Sequence, residues 1–328
     1  MAAAGSNDPP AQAAFLAAGH GPPFTGAATF NRAEQTQDVD GADLVVLGVP
    51  FDLGAINRPG ARFGPRAIRQ QSTYAGALQP IYPWDEELMK AFRLVDYGDV
   101  VVVPGAGAVE SMIEQTETAA GAILNRGASL LTLGGDHTLP YGPVRAAAQK
   151  FGPLALVHLD SHQDSLDGDA MPGRPMINHG TFATGLAKEG HIDPARSAQL
   201  YIRTLMDNPA GYTIHYAEDA RQLGPEELAA QVRALAGDGP VYISLDLDAV
   251  DPAFAPGVGT PAPGGPSSGE VRRFLKHLDG LDVVAADIVE LNPPHDPAEV
   301  TAILAAFLSF DLLHLMGSAR RRRASSGT

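Results

Sequence analysis

Short apolar runs recur along the chain, each followed by a loop and then by a stretch whose apolar positions return every three or four residues. The runs fall at 44–49, 94–96, 129–133, 154–159, 198–202, 212–216, 241–245 and 282–286. Most are rich in Val, Leu and Ile, as expected of strands buried on both faces. Helix-like spacing occupies 111–125, 141–150, 226–236, 268–278 and 299–315, and Ser267 stands three residues ahead of Glu270 as a capping-box signal. Strands alternating with helices predict a parallel sheet covered by helices. No linker splits the pattern, so residues 41–316 are read as one domain. Residues 1–40, rich in Ala, Gly and Pro, are expected to form an arm, either disordered or laid on a neighbouring subunit. Residues 317–328, with four consecutive arginines from Arg320 to Arg323, are expected to be a basic, solvated tail.

Composition narrows the partners. The 328 residues carry a formal net charge of −15, which argues against nucleic acid, whose binding needs a basic stripe. An acidic balance favours a cationic substrate or a bound metal, although plain solubility requires nothing more. There is no cysteine, so disulfides, thiolate zinc sites and thiol nucleophiles are excluded, and the chain is compatible with a reducing cytoplasm. The first 30 residues hold no Lys or Arg, unlike a secretory or mitochondrial leader. No stretch of ~18 uncharged apolar residues is read as a membrane span.

Ligands of open α/β sheets lie beyond the carboxyl ends of the strands, and the chemistry-bearing residues sit there. Run 129–133 is followed by Gly134-Gly135-Asp136-His137-Thr138, run 154–159 by Asp160-Ser161-His162-Gln163-Asp164, and run 241–245 by Asp246-Leu247-Asp248. In an extended segment every second side chain points the same way, so Asp160, His162 and Asp164 can converge, joined by His137, Asp246 and Asp248. Carboxylates gathered in a dry cleft repel unless cations neutralise them. Two divalent ions answer this, and such a pair can acidify a shared water. An oxygen-rich donor set with two imidazoles and no sulfur suits Mn²⁺ best, with Ni²⁺, Co²⁺, Fe²⁺ or Zn²⁺ as alternatives. A single Asp at a strand end is ordinarily a cap or turn former; Asp136, Asp251 and Asp287 fit that role.

Together these motifs resemble the ureohydrolase family of arginases, agmatinases and guanidino-acid hydrolases, over residues 40–315. The likeness extends to His179-Gly180-Thr181-Phe182, to Asp251-Pro252, to the run 254–261, to Asp287–Pro293 and to 60–69. It implies a three-layer α/β/α domain with an eight-stranded parallel sheet. One metal would take His137, Asp160, Asp164 and Asp246. The other would take Asp160, His162, Asp246 and Asp248, with Asp160 and Asp246 bridging. Asp164 would carry a proton from water to the leaving amine, His179 would relay protons to solvent from a pKa near neutrality, and Glu290 would grip the guanidinium. The family also implies homo-oligomers, trimers or hexamers.

The segment His179–Phe182, with 82–84 and 188–194, is closer to agmatinases and guanidino-acid hydrolases than to arginases, which makes agmatine the expected substrate. Other guanidino compounds (4-guanidinobutyrate, 3-guanidinopropionate, guanidine, a biguanide) are alternatives. Two departures bear on this. The loop 165–178 is longer than usual: an inward Arg174 would suit a carboxylate, an inward Asp167 or Asp169 an amine. Ser161 stands where the family usually has Ala. A non-catalytic subunit would be expected to lose ligands, and a one-metal deacetylase on a similar scaffold would not need the His137 motif.

Overall fold

The computed structural model describes residues 22–170 and 176–326. Nine strands form one sheet: β1 Glu34–Gln35, β2 Leu44–Gly48, β3 Leu94–Asp99, β4 Ser129–Leu133, β5 Ala155–Leu159, β6 Ala198–Ile202, β7 Thr213–Tyr216, β8 Pro240–Asp246 and β9 Asp282–Val289. Their order is β1-β3-β2-β4-β9-β8-β5-β6-β7, and every pairing is parallel. Eight of them answer to the eight apolar runs. The ninth, β1, is a two-residue exposed edge strand on β3, with no apolar side chain to announce it.

The helices are α1 Gly64–Ala77, α2 Leu88–Ala91, α3 Ala108–Asn125, α4 Tyr141–Phe151, α5 Phe182–Lys188, α6 Ala217–Ala236, α7 Ser268–His277 and α8 Val300–Ser326. Strand residues alternate between two cores: Val46, Leu131 and Leu133 pack with Ile68, Leu228, Phe274 and Leu308, while Val45, Leu47 and Leu130 pack with Ile123, Val144 and Phe182. The layers are therefore α1, α6, α7 and α8 on one face and α3, α4 and α5 on the other. Helix α7 carries the expected capping box, Ser267 and Glu270 bonding reciprocally. Helix α1 was not legible as a helix because its buried face includes Gly64, Arg69, Ser72 and Thr73, which leave no apolar stripe. Helix α6 breaks at Gly224 (φ 76°) and Pro225, so only its second half had a continuous pattern.

Both chain ends depart from the expected arm and tail. Phe30 is fully buried against Phe310, its ring centroid 5.2 Å away, and its N–H donates to Asp96 at 2.7 Å. The arm is thus part of the fold from there on, and residues 1–21 lie outside the described ones. The arginines are not a free tail either. Helix α8 runs through them, and they pair with Asp43, Glu86, Asp279 and Asp282 along the edge of the sheet opposite the strand carboxyl ends. Acidic groups at that edge supply the physical reason.

The stretch Pro297–Ser325 is long and apolar enough to cross a membrane by length and composition, but it is a mostly buried helix of the fold. Inside it, Asp311 is fully buried, accepting from Arg272 Nε at 2.8 Å, Arg272 Nη2 at 3.0 Å and Trp84 Nε1 at 2.8 Å. Removing the acceptor leaves the Trp84 indole N–H unpaired in the core and takes the carboxylate from a partly buried guanidinium that keeps only the Tyr82 carbonyl. Asp311→Ala should lower unfolding stability by about 3–5 kcal/mol. Chemical denaturation checks this; a loss below about 1 kcal/mol would contradict it.

Candidate metal centre and active site

Strands β4, β9, β8 and β5 are neighbours in the sheet, although β4 and β5 are successive in the chain with respect to the strands they bracket. The connectivity therefore jumps across the sheet's middle and opens a crevice at the carboxyl ends of these four strands. There β4 delivers His137, β5 delivers Asp160, His162 and Asp164, β8 delivers Asp246 and Asp248, and β9 delivers Glu290. The expected residues come from separate strands to one place.

His137 Nδ1 lies 3.1 Å from Asp160 Oδ2, 3.1 Å from Asp164 Oδ2 and 3.3 Å from Asp246 Oδ2. Its other nitrogen, Nε2, is 2.8 Å from Ser244 Oγ, and that hydroxyl donates to Asp287 Oδ1 at 2.8 Å. The hydroxyl proton being spent on Asp287, Ser244 accepts from Nε2–H, and the Nδ1 lone pair points at three carboxylates. Nδ1 is buried and has no aligned hydrogen bond. Burial opposes charge on this ring, yet Asp160, Asp164 and Asp246 raise His137 well above its ordinary value, so Nδ1 calls either for a proton or for a metal cation among the three oxygens. On the other side, His162 Nδ1 lies 3.4 Å from Asp160 Oδ1 and 3.0 Å from Asp248 Oδ2. Two groups with metal-ligand geometry result: His137, His158, Asp160 and Asp164, and Asp160, His162 and Asp248, sharing Asp160. Asp246 flanks both, its Oδ1 accepting the Asp248 N–H at 2.7 Å.

Charge in this crevice is tightly constrained. Burial, then repulsion by Asp248 and Asp160, pushes Asp246 far above the usual carboxylate range. Burial also raises Asp248, with Asp160 adding to it. For His162 burial opposes the charged form, yet Asp160 and Asp248 push it up to about 12. The protein alone balances its carboxylates by loading both imidazoles and carboxylates with protons, and divalent cations would serve the same need. The donor set of carboxylate oxygens and imidazole nitrogens without sulfur fits such ions.

Above the cluster, Glu290 Oε1 accepts from the His137 backbone N–H at 3.0 Å and lies 3.0 Å from His179 Nδ1. In the neutral ring His179 Nε2 accepts the Ile56 N–H at 3.2 Å and the proton is on Nδ1; protonation gives up that contact and keeps Nδ1–H on Glu290. Oε2 of Glu290 faces Gly259, where an added Cβ would stand 3.2 Å away. Asp164 (φ 46°) and Glu290 (φ 65°) both sit in the left-handed region, a conformation costing roughly 1–3 kcal/mol that persists only where surroundings impose it. For Glu290 the imposing contact is its N–H to the Gly135 carbonyl at 2.8 Å.

A model described as the arginase family matches residues 42–314. The chain belongs to the arginase family. It is 38% identical to an agmatinase of Chromobacterium violaceum, over 93% of this chain and 92% of that protein. It is equally 38% identical to one of Neisseria meningitidis serogroup C, over 84% and 88%. Among solved structures, a hypothetical agmatinase from Burkholderia thailandensis superposes with a TM-score of 0.85 at 39% identity, covering 92% of this chain and 94% of that one. Proclavaminate amidino hydrolase from Streptomyces clavuligerus gives 0.84 at 36%, covering 91% and 100%. As a member of the arginase family the chain is an amidinohydrolase with the arginase-like α/β fold, nine strands replacing the expected eight.

Within this arginase-family site some expectations change. His179 is not near neutrality: burial lowers it, but the Glu290 carboxylate beside it brings it up to about 9. Asp167 and Asp169 do not reach inward as amine anchors, because both pair with Lys188, at 2.6 and 3.0 Å. Arg174 lies outside the described residues. Asp136 and Asp251 are turn and loop clamps, accepting from Gly54 and Thr138, and from Ala253, Gly264 and Gly265. Asp287, expected to be a cap, is instead a buried strand residue behind His137, bonded also to Tyr242 at 2.6 Å. The residues that sequence reasoning passed over, His158, Ser244 and Tyr242, lie two or four positions before Asp160 and Asp246. Carrying the strand alternation backward into the apolar runs would have found them.

The His179–Glu290 pair has a pH signature. A folded pKa of about 9 against an ordinary 6.5 means that charged His179 stabilises the fold fully below about 6.5 and loses this as pH rises through about 9. In chelator-treated protein, the His179 ring should titrate near 9 by NMR and fall toward its ordinary value in Glu290→Gln. An unchanged titration in that variant would contradict the pairing.

Proposed function

We propose that this chain hydrolyses agmatine to urea and putrescine at a centre of two divalent ions. His137, Asp160, Asp164 and Asp246 would hold one ion, and Asp160, His162, Asp246 and Asp248 the other. The observation that carries the reading is His137 Nδ1 set among three buried carboxylate oxygens, with Glu290 bonded to the His137 backbone and its Oε2 facing Gly259. Agmatine is chosen over other guanidino compounds because the curated relatives matched across more than four-fifths of this chain bear the name agmatinase. Mn²⁺ suits the donor set best and Ni²⁺ next. Assembly as a homo-oligomer, trimeric or hexameric, belongs to the same proposal.

When bound, the two ions supply the Lewis acidity that lets water act as a nucleophile near neutral pH. The rest is work for side chains. A guanidinium is planar and permanently charged, so its carbon resists attack until it is held in place. Glu290 Oε2 accepts from its N–H groups, while Oε1 is fixed by His137 N–H and His179. Gly259 leaves room for the plane, since a side chain there would press on Oε2. Asp164 takes the proton of the attacking water and delivers it to the departing amine. The bond between the guanidinium carbon and the nitrogen that carries the alkyl chain breaks, and urea and protonated putrescine leave. His179, held on Nδ1–H, keeps Glu290 oriented and replaces protons from solvent.

A second reading, hydrolysis of a guanidino acid, is favoured by the 36% identity to an amidino hydrolase named for proclavaminate. Urea release from agmatine, 4-guanidinobutyrate, 3-guanidinopropionate and arginine by Mn²⁺-loaded protein separates the two. The proposal expects agmatine to be preferred by at least about tenfold in kcat/KM, equivalent to ~1.4 kcal/mol. A preference for any carboxylate-bearing substrate would overturn it. Glu290→Gln should lower kcat/KM at least about a hundredfold with both ions retained, because the guanidinium carbon is no longer held in position for attack. Loss of the metals in that variant would place Glu290 among the ligands instead.

A further inference from the structure

We propose that His158 is a positioning residue of the metal centre, fixed by Gln199 as the Nε2–H tautomer so that it turns the Asp160 carboxylate to face both ion positions. This rests on the two-ion reading above. His158, Gln199 and Gln163 are all fully buried. Gln199 Nε2 donates to the backbone carbonyl of Gln163, which can only accept, and this settles which end of the amide is nitrogen. The same nitrogen lies 3.1 Å from His158 Nδ1, which must therefore be the acceptor. The ring proton is left on Nε2, 2.8 Å from Asp160 Oδ2.

The consequence is a fixed carboxylate. Asp160 Oδ2 is held by His158 and lies 3.1 Å from His137 Nδ1. Oδ1 accepts the His162 N–H at 2.6 Å and lies 3.4 Å from His162 Nδ1. Each oxygen thus faces one of the two ligand groups. His158 is near enough to count geometrically among the ligands, but both its nitrogens are engaged in hydrogen bonds, so it serves as a donor behind the ligand. The Gln199 amide also ties down the carbonyl between His162 and Asp164, so one side chain steadies the ring and the ligand loop together.

The test is Mn²⁺ reloading of the chelator-stripped full chain, followed by calorimetry, with circular dichroism to check folding. His158→Gln keeps an N–H close to the position of Nε2; His158→Leu fills similar volume without it. Wild type and His158→Gln should each take up two ions with similar affinity, and His158→Leu should bind at least one ion about ten- to a hundredfold more weakly. If His158→Leu does not fold, Gln199→Leu, which frees the tautomer, should show the same weakening. Wild-type affinity in the leucine variant measured, or equal failure of His158→Gln, overturns the positioning role. A wild-type chain that binds fewer than two ions strikes the two-ion reading itself, and the proposal with it.

Discussion

Four aspartates and two histidines are forced into one dry crevice, and the surrounding architecture is arranged around that burden of buried negative charge. Asp160, Asp246 and Asp248 are almost wholly removed from solvent, and Asp164 nearly so. Left to themselves, such groups would take up protons or push apart. They are held instead by strand ends whose backbones are pinned from below by the sheet ladder, and by hydrogen bonds that fix each carboxylate's direction. Ser161 illustrates the point: its hydroxyl donates to Asp248 Oδ1 at 2.7 Å and lies 3.0 Å from His162 Nδ1. An alanine there would leave both ligands less constrained.

The same constraint accounts for features that otherwise seem unrelated. Gly135 lets the Phe51 carbonyl approach so closely that an added Cβ would lie 1.6 Å from it, and the loop beyond Phe51 brings Ile56 to His179 and Asn57 to the Gly259 carbonyl. Asp52 holds that loop through Gly60 and Arg62. Arg203 reaches across from β6 to the carbonyls of Asp248 and Ala249 and so fixes the turn after β8. The N-proximal segment, far from the ligands in sequence, thus forms a wall of the crevice and positions the pair that would meet the guanidinium.

Much of this was legible in the sequence, for reasons particular to each element. Fully buried strands such as β4 and β5 are mostly apolar on both faces, and their ligands stand within a few residues of the last apolar one. Where burial is achieved by other means the signal fades. Helix α1 buries an arginine, a serine and a threonine, Asp96 receiving Arg69 Nε at 2.8 Å, and no hydrophobic period survives. The arginines of α8 looked like a tail because their acidic partners come from three distant segments, around Asp43, Glu86 and Asp279–Asp282. His158 was hidden for a related reason, being a polar residue inside an apolar run whose partner Gln199 lies on the neighbouring strand. His179 and Glu290 were each foreseen, but the contact between them, which shifts the histidine, depends on two loops meeting across the crevice.

The proposed reaction requires the crevice to take two cations at once, between His137 and His162. Crystals grown with Mn²⁺ and measured at its absorption edge test this most directly. Two anomalous peaks of comparable height about 3.5–4 Å apart are expected, one beside His137 and one beside His162. A single peak, or none in the crevice at saturating Mn²⁺, would contradict it.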